Sequence, residues 1–207
     1  MERPLRVRIR DGDEDAFADL FDRYARSVYN HAFRLTGNWS MAEDVVSLTF
    51  LEAWRLRGRV NAEGGSLRPW LLGVATNMVR NTRRAAARHA AAMSRLPPGP
   101  QGDAVGDFAD EIASRIDDTE LLAAVRLALD TLRRNEREVL ALCVWEGLDY
   151  TAAGEALGIP TGTVRSRLSR ARRKLAAAAE RGEPLRAAGQ MKEGRTDAAL
   201  PMQEGNR

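Results

Sequence analysis

The chain has 207 residues, 44% hydrophobic and 29% charged, which excludes a disordered or fibrous protein and leaves room for one large or two small folded domains. A net charge of +3 permits nucleic-acid binding without demanding it, and a single cysteine, Cys143, excludes an internal disulfide and fits a reducing compartment. No apolar run reaches membrane-spanning length and the N-terminal stretch MERPLRVRIRDGDED has no signal-peptide core, so no membrane insertion and a cytoplasmic location are expected. Charge is unevenly spread: acids crowd residues 11–22 and 103–120, bases crowd 80–95 and 165–181.

Residues 1–12 read as a short basic lead. From Ala16 the spacing predicts a helix with Phe17, Leu20, Phe21, Tyr24, Val28, Ala32 and Leu35 on one side, ended by Gly37. Ser40-Met-Ala-Glu43 has the form of a capping box opening a second helix. Its apolar stripe is Ala42, Val45, Val46, Thr49, Phe50 and Ala53. Residues 57–66, RGRVNAEGGS, read as a loop. A third helix is expected over 67–88, with Pro69 tolerated in its first turn. Trp70, Leu71, Val74, Ala75 and Met78 would face the core, while Asn77, Arg80, Asn81 and Arg84 share another face. Residues 1–93 thus form one helical domain.

The Pro- and Gly-rich residues 94–117 have no periodicity and read as a linker. The acids of 103–120 read as part of a solvated linker, with a self-inhibitory or spacing element as the alternative. A second helical domain is expected over 118–180. Leu122, Val125, Leu129 and Leu132 form one stripe. Asn135-Glu-Arg-Glu138 is capping-box-like and leads into Val139, Leu140, Cys143 and Val144, with Gly147 ending that helix. Residues 181–207 lack an amphipathic pattern and are expected to be disordered. There is no strand signal, so the fold class is all-α: two small helical domains on a flexible linker.

Residues 149–175, DYTAAGEALGIPTGTVRSRLSRARRKL, carry the most information. Asp149 can cap a first short helix, in which Ala153, Ala156 and Leu157 lie on one side. Gly158 can end it at positive φ, Ile159 anchors the turn, and Pro160 with Thr161 starts the next helix. In that helix Val164, Leu168, Ala171 and Leu175 point inward. Arg165, Ser166, Arg167, Ser169, Arg170, Arg172, Arg173 and Lys174 are left outside. This is the helix-turn-helix pattern, whose second helix enters the DNA major groove. The bland alternative is a solvated basic helix closing an ordinary bundle. Gly154 is small where crossing helices would approach.

The two units together resemble bacterial RNA polymerase sigma factors of the extracytoplasmic-function (ECF) type. DAFADLFDRYARSVYNHAFRLTGNWSMAEDVVSLTFLEAWR, followed by LRPWLLGVATNMVRNTRR, is similar to sigma domain 2. LDTLRRNEREVLALCVWEGLDYTAAGEALGIPTGTVRSRLSRARRKL is similar to sigma domain 4. The resemblance implies that the helix over 43–54 docks on the clamp helices of the polymerase core, with Asp44, Ser47, Thr49, Glu52 and Trp54 on that surface. Ser47-Leu48 stands where the family commonly has Gln-Glu or Gln-Asp. It implies that the helix over 67–84 and the loop before it read the −10 promoter element. Asn61 and Ser66 would line a flipped-base pocket, Asn77 and Asn81 would meet base edges, and Arg80, Arg83 and Arg84 would hold the backbone. The loop 60–66 has no aromatic residue, so stacking there is expected to be limited and the promoter set narrow. The helix from Thr161 would read the −35 element as duplex. Thr161, Thr163, Arg165, Ser166 and Arg167 lie near its base-contacting end, and Arg170, Arg173 and Lys174 are placed for the backbone. Ala152-Ala153-Gly154 replaces a bulkier family pattern, from which a less tightly packed first helix is expected. Arg133-Arg134-Asn135 replaces a Pro-rich start, with Asn135 as the cap. Implied partners are the polymerase core (the clamp of the largest subunit and the flap of the second), promoter DNA and an anti-sigma factor. No cofactor, metal or catalytic residue is implied.

The rival reading is a stand-alone helix-turn-helix regulator, which leaves residues 15–84 without a job. An enzyme is disfavoured. His31 and His89 lack partners at ligand spacing, His31 reads as the edge of the first stripe, His89 as part of a solvated basic run, and Cys143 as core.

Overall fold

The computed structural model describes residues 3–93, 125 and 127–181. The expected linker over 94–117, the stripe residue Leu122 and the tail beyond Arg181 lie outside these residues. Every regular element among the described residues is helical. Helix α1 spans Leu5–Asp11, α2 Glu14–Thr36, α3 Trp39–Leu56 and α4 Arg68–Met93, with a 3₁₀ turn at Arg57–Arg59. Then come α5 (Arg134–Leu140), a π-helical turn at Ala141–Trp145, α6 (Tyr150–Leu157) and α7 (Thr161–Arg181). None of these helices is long and apolar enough to cross a membrane.

The expected basic lead is a helix. Ile9 is fully buried, with Leu5 packed beside it, and Gly12 closes α1 in the left-handed conformation (φ 83°). Two apolar residues one turn apart are too few to give a periodic signal, so this element was not legible. Helix α2 starts one turn ahead of the apolar stripe because the Asp13 side chain accepts from Ala16 N at 2.9 Å. The cap of α3 is Asn38, whose Oδ1 accepts from Met41 N at 2.7 Å, in place of the expected Ser40 box. The cap of α5 is Arg133, not Asn135: Glu136 reaches back to Arg133 N at 2.9 Å, and Asn135 lies inside the first turn. Its Oδ1 is buried without a hydrogen-bond partner.

Helices α1 to α4 surround a core that includes Ile9, Leu20, Val28, Phe50, Leu67 and Leu71. Helices α5 to α7 surround a second, with Val139, Leu142, Ala153, Val164, Leu168 and Ala171. The two units share their margins. Leu72 of α4 belongs to the second core, and Ala141 joins Ala32, Leu35, Ala42, Val45 and Val79 of the first unit. Gly73 makes this closeness possible: a Cβ there would fall on the Ala156 carbonyl, with the Ala156 carbonyl carbon and Cα each at 3.1 Å.

Buried carboxylates tie the same seam. Glu146, 5% exposed, accepts from Arg34 at 2.6 Å, from Ser27 Oγ at 3.1 Å and from Arg68. Arg68 also donates to the Glu146 carbonyl at 2.6 Å. Glu138 takes both ends of the Arg80 guanidinium, at 2.8 and 2.7 Å. Breaking one side of such a pair would leave a charge buried and uncompensated.

Candidate nucleic-acid interface

The helix-turn-helix is built as its residues dictate. Asp149 Oδ1 accepts from Ala152 N at 2.8 Å, capping α6. Gly158 ends α6 at φ 65°, and Ile159 N returns to Gly154 O at 3.0 Å. Helix α7 starts on Thr161, with the Pro160 carbonyl accepting from Thr163 N at 2.8 Å, so Thr161 sits in the first turn and not at the cap. The turn after the Ala152-Ala153-Gly154 segment is tight. A Cβ on Gly154 would lie 2.8 Å from Ile159 O, so the small residue is what lets the turn fold back on its helix.

Val164, Leu168 and Ala171 are buried, which leaves Arg165, Ser166, Arg170 and Arg173 exposed along one face of α7. Thr161, Thr163 and Arg167 are half-buried. Arg165 lies over the Tyr150 ring at 5.8 Å, and Arg170 Nε donates to Ser166 O at 3.2 Å. These contacts are weak and solvent-facing, so the guanidiniums can turn to a phosphate or a guanine edge. Lys174 differs. Its Nζ is 2.7 Å from the buried Glu136 carboxylate. Burial pushes the Glu136 carboxyl up, but Lys174 and the Arg133 amide outweigh it and hold it below the usual range. Lys174 is therefore engaged in clamping α7 to α5, a contact that a sequence periodicity cannot reveal.

In the other unit, Asn61 and Ser66 border a cavity of about 540 Å³. Loop 60–66 forms one wall, and Trp70 from the first turn of α4 contributes another side. Trp70 was expected in the core. It is half-buried and also packs against the first core, so an aromatic stands at the cavity although the loop has none. Glu155 and Ala156 of α6 close the remaining side. Asn77, Arg80, Asn81 and Arg84 do not line this cavity. They follow along α4, on the order of 10–20 Å from its first turn at 1.5 Å per residue. Asn77, Asn81 and Arg84 are exposed. Arg80 donates to Asn77 Oδ1 at 3.1 Å as well as to Glu138, and the Glu138 bonds push its pKa up. Arg83 donates to Leu35 O at 2.6 Å. Arg80 and Arg83 are thus both occupied within the protein in this arrangement.

On α3, Asp44 and Ser47 are exposed, and Glu52 is held by Arg55 at 2.6 and 2.7 Å, which lowers its carboxyl pKa. Trp54 is half-buried, edge-on to Phe17 at 5.0 Å and under Arg57 at 4.4 Å. Thr49 is fully buried and its hydroxyl has no hydrogen-bond partner, so it belongs to the core and cannot form part of a docking face. The sequence reading missed Leu48 and Leu51, which are 42% and 69% exposed. With Asp44, Ser47 and Glu52 they follow i, i+3, i+4, i+7, i+8 spacing, so an apolar centre with polar flanks occupies one side of α3. The spacing of this stripe is present in the sequence, but the resemblance points to Asp44, Ser47, Thr49, Glu52 and Trp54 and not to the two leucines.

Among the described residues no group of three or more His, Cys, Asp and Glu could hold a metal ion. His31 is not at the edge of its stripe: it is fully buried, with Nε2 2.9 Å from Thr76 Oγ1. His89 is exposed, and Cys143 packs half-buried against the second core.

Residues 20–89 match the family model for sigma-70 region 2, and residues 122–175 that for sigma-70 region 4. The chain is 35% identical over 168 residues to the RNA polymerase sigma factor CarQ of Myxococcus xanthus, covering 81% of this chain and 91% of that protein. It is 34% identical over 156 residues to the ECF RNA polymerase sigma factor SigL of Mycobacterium tuberculosis, covering 75% and 84%. Among solved structures, CnrH in complex with the cytosolic domain of CnrY has a similar fold, with a TM-score of 0.61 at 24% identity over 88% of this chain and 99% of that one. The sigma factor RpoE in complex with the anti-sigma factor NepR from Bartonella quintana gives a TM-score of 0.60 at 23% identity, over 79% and 96%.

Proposed function

The chain belongs to the ECF group of bacterial RNA polymerase sigma factors, and from that membership we propose that it binds the polymerase core, directs it to a promoter set through the −10 and −35 elements, and helps open the duplex. One observation carries the reading: a single chain bears an exposed basic row on α7, a polar cavity at loop 60–66 and an exposed apolar stripe on α3. A stand-alone regulator would use only the first.

Each surface suits a different task. The α7 row offers Arg165 and Ser166 near the helix N-terminus for base edges, and Arg170 and Arg173 for phosphates. The cavity offers the Asn61 amide and the Ser66 hydroxyl to a base edge, with the Trp70 ring beside them for stacking. Asn77, Asn81 and Arg84 extend a polar track along α4 for the strand that follows. The α3 stripe, with Asp44, Ser47 and Glu52 around Leu48 and Leu51, is the docking face for the core clamp. The second unit would meet the flap. The protein's own work is binding and strand separation; bond formation belongs to the polymerase. An anti-sigma factor, as in the RpoE–NepR complex, is a further proposed partner.

The closed arrangement is not the DNA-reading one. Elements centred near −10 and −35 lie about 25 base pairs apart, on the order of 85 Å of duplex at 3.4 Å per pair. A compact chain of this length has a radius of gyration of roughly 17 Å. The Arg80–Glu138 pair and the α6 wall of the cavity must therefore part when the promoter is bound. Run-off transcription with polymerase core over a genomic promoter library tests the function. Transcripts that appear only when the protein is added, from starts sharing two elements, are expected; transcription indifferent to the protein would refute the reading.

A further inference from the structure

The loop that borders the cavity is held from outside the matched sigma-70 region 2. Arg6, on α1, donates through Nε to Gly65 O at 2.7 Å, through Nη1 to Asn61 O at 3.0 Å and through Nη2 to Ser66 O at 2.9 Å. One planar guanidinium thus grips both ends of the segment 61–66, a geometry that its rigid fork of donors permits. The loop crosses close above it. Gly64 has φ +124°, where a residue with a side chain would be strained, and a Cβ there would lie in van der Waals contact with Arg6 Cζ at 3.4 Å. The grip has a firm base. Helix α1 is anchored by the fully buried Ile9 and by Leu5 beside it in the first core. A second tether comes from α2, where the Tyr24 hydroxyl lies 3.1 Å from Ser66 Oγ. Without these ties, a segment with two adjacent glycines would sample many conformations.

We propose that Arg6 is a positioning residue for promoter discrimination: it fixes the shape of loop 60–66 so that the cavity presents one set of base-edge groups. This rests on the reading of that loop as the −10 base pocket. A trans peptide unit points its N–H opposite to its C=O, so holding the carbonyls of 61, 65 and 66 also fixes the N–H directions at 62, 66 and 67. Arg6 also sets where the Asn61 side chain starts, and Asn61 Oδ1 is in turn held by Glu63 N at 3.1 Å. A binding site works only when its groups are held within about 0.5 Å of their productive geometry by such supporting contacts.

The test is run-off transcription by the full chain with polymerase core, over promoters carrying every base at each −10 position. Arg6→Ala, Arg6→Lys and Asn61→Ala are compared with the unaltered protein. Arg6→Ala is expected to flatten the −10 base preference by roughly tenfold, the scale of one lost base-edge contact. Its melting temperature and its binding to −35 duplex should not change. Arg6→Lys should not restore the preference, because one ammonium cannot meet carbonyls arranged for a planar fork. Unaltered preference in Arg6→Ala while Asn61→Ala flattens it would overturn the role of Arg6 alone. A uniform fall at every promoter that follows a lowered melting temperature would overturn it in favour of a merely structural role. Unaltered preference in all variants would show that the loop is not the base reader, and the proposal would fall with that reading.

Discussion

His31 is fully buried, far from the ordinary environment of a histidine. Burial lowers its pKa to about 3, and the nearby Arg34 and Arg68 charges push the same way. The folded protein therefore keeps it neutral while the unfolded chain protonates it near 6.5. Between these values the unfolded state binds the extra proton, so stability falls as pH drops below 6.5, by about 1.4 kcal/mol per unit. The lowered carboxyls of Asp13, Glu52 and Glu136 act in the same direction but at lower pH: their stabilisation is present above about 4 and is lost as pH falls through their depressed values. The window from 6.5 to 5 thus isolates the histidine. Urea unfolding should show a loss of about 2 kcal/mol across it, and His31→Gln should flatten that slope by more than half. An equal slope in both proteins would remove the buried histidine as its cause. A polar residue in an apolar stripe does not announce burial in the sequence, because the partner, Thr76, is 45 positions away. Thr49 is a related case: the resemblance implies a surface position, its place in the apolar stripe implies the core, and packing buries it.

Helices and turns whose determinants are local were legible. The Asp149 cap, the Gly158 stop and the inward row of α7 each depend on residues within one or two turns, and each formed as their chemistry requires. The elements that were not legible depend on distant partners. Helix α1 exists because Ile9 enters a core made by α2, α3 and α4. The π-helical turn at Ala141–Trp145 lets Ala141 meet the first unit while Leu142 stays in the second core. The α3 stripe falls between these cases: its spacing was visible, but its exposure depended on nothing else covering it. As the proposed core-docking face it makes a direct prediction. Leu51→Asp should weaken binding to polymerase core by roughly tenfold or more, as loss of a central apolar contact does, without changing thermal stability. Fluorescence anisotropy with labelled protein measures this, and unchanged affinity would remove Leu51 from that interface.

At the scale of the whole molecule the seam between the units matters most. It combines a close backbone approach at Gly73 with buried carboxylates at Glu138 and Glu146. Nothing in the sequence joined these positions, since they pair across the segment 94–124. Gly73→Ala should open the seam while stabilising α4 itself by roughly 1 kcal/mol. Small-angle scattering of the free protein is expected to show a larger radius of gyration, and an unchanged radius would mean the seam accommodates the methyl group. In the proposed function one chain, on the polymerase core, opens DNA at a promoter it reads in two places. Permanganate footprinting of such a promoter tests this most directly. Reactive thymines at the −10 element are expected only with core and protein together, and they should fade when the −35 element is scrambled. Thymines equally reactive with core alone, or indifferent to the protein, would contradict it.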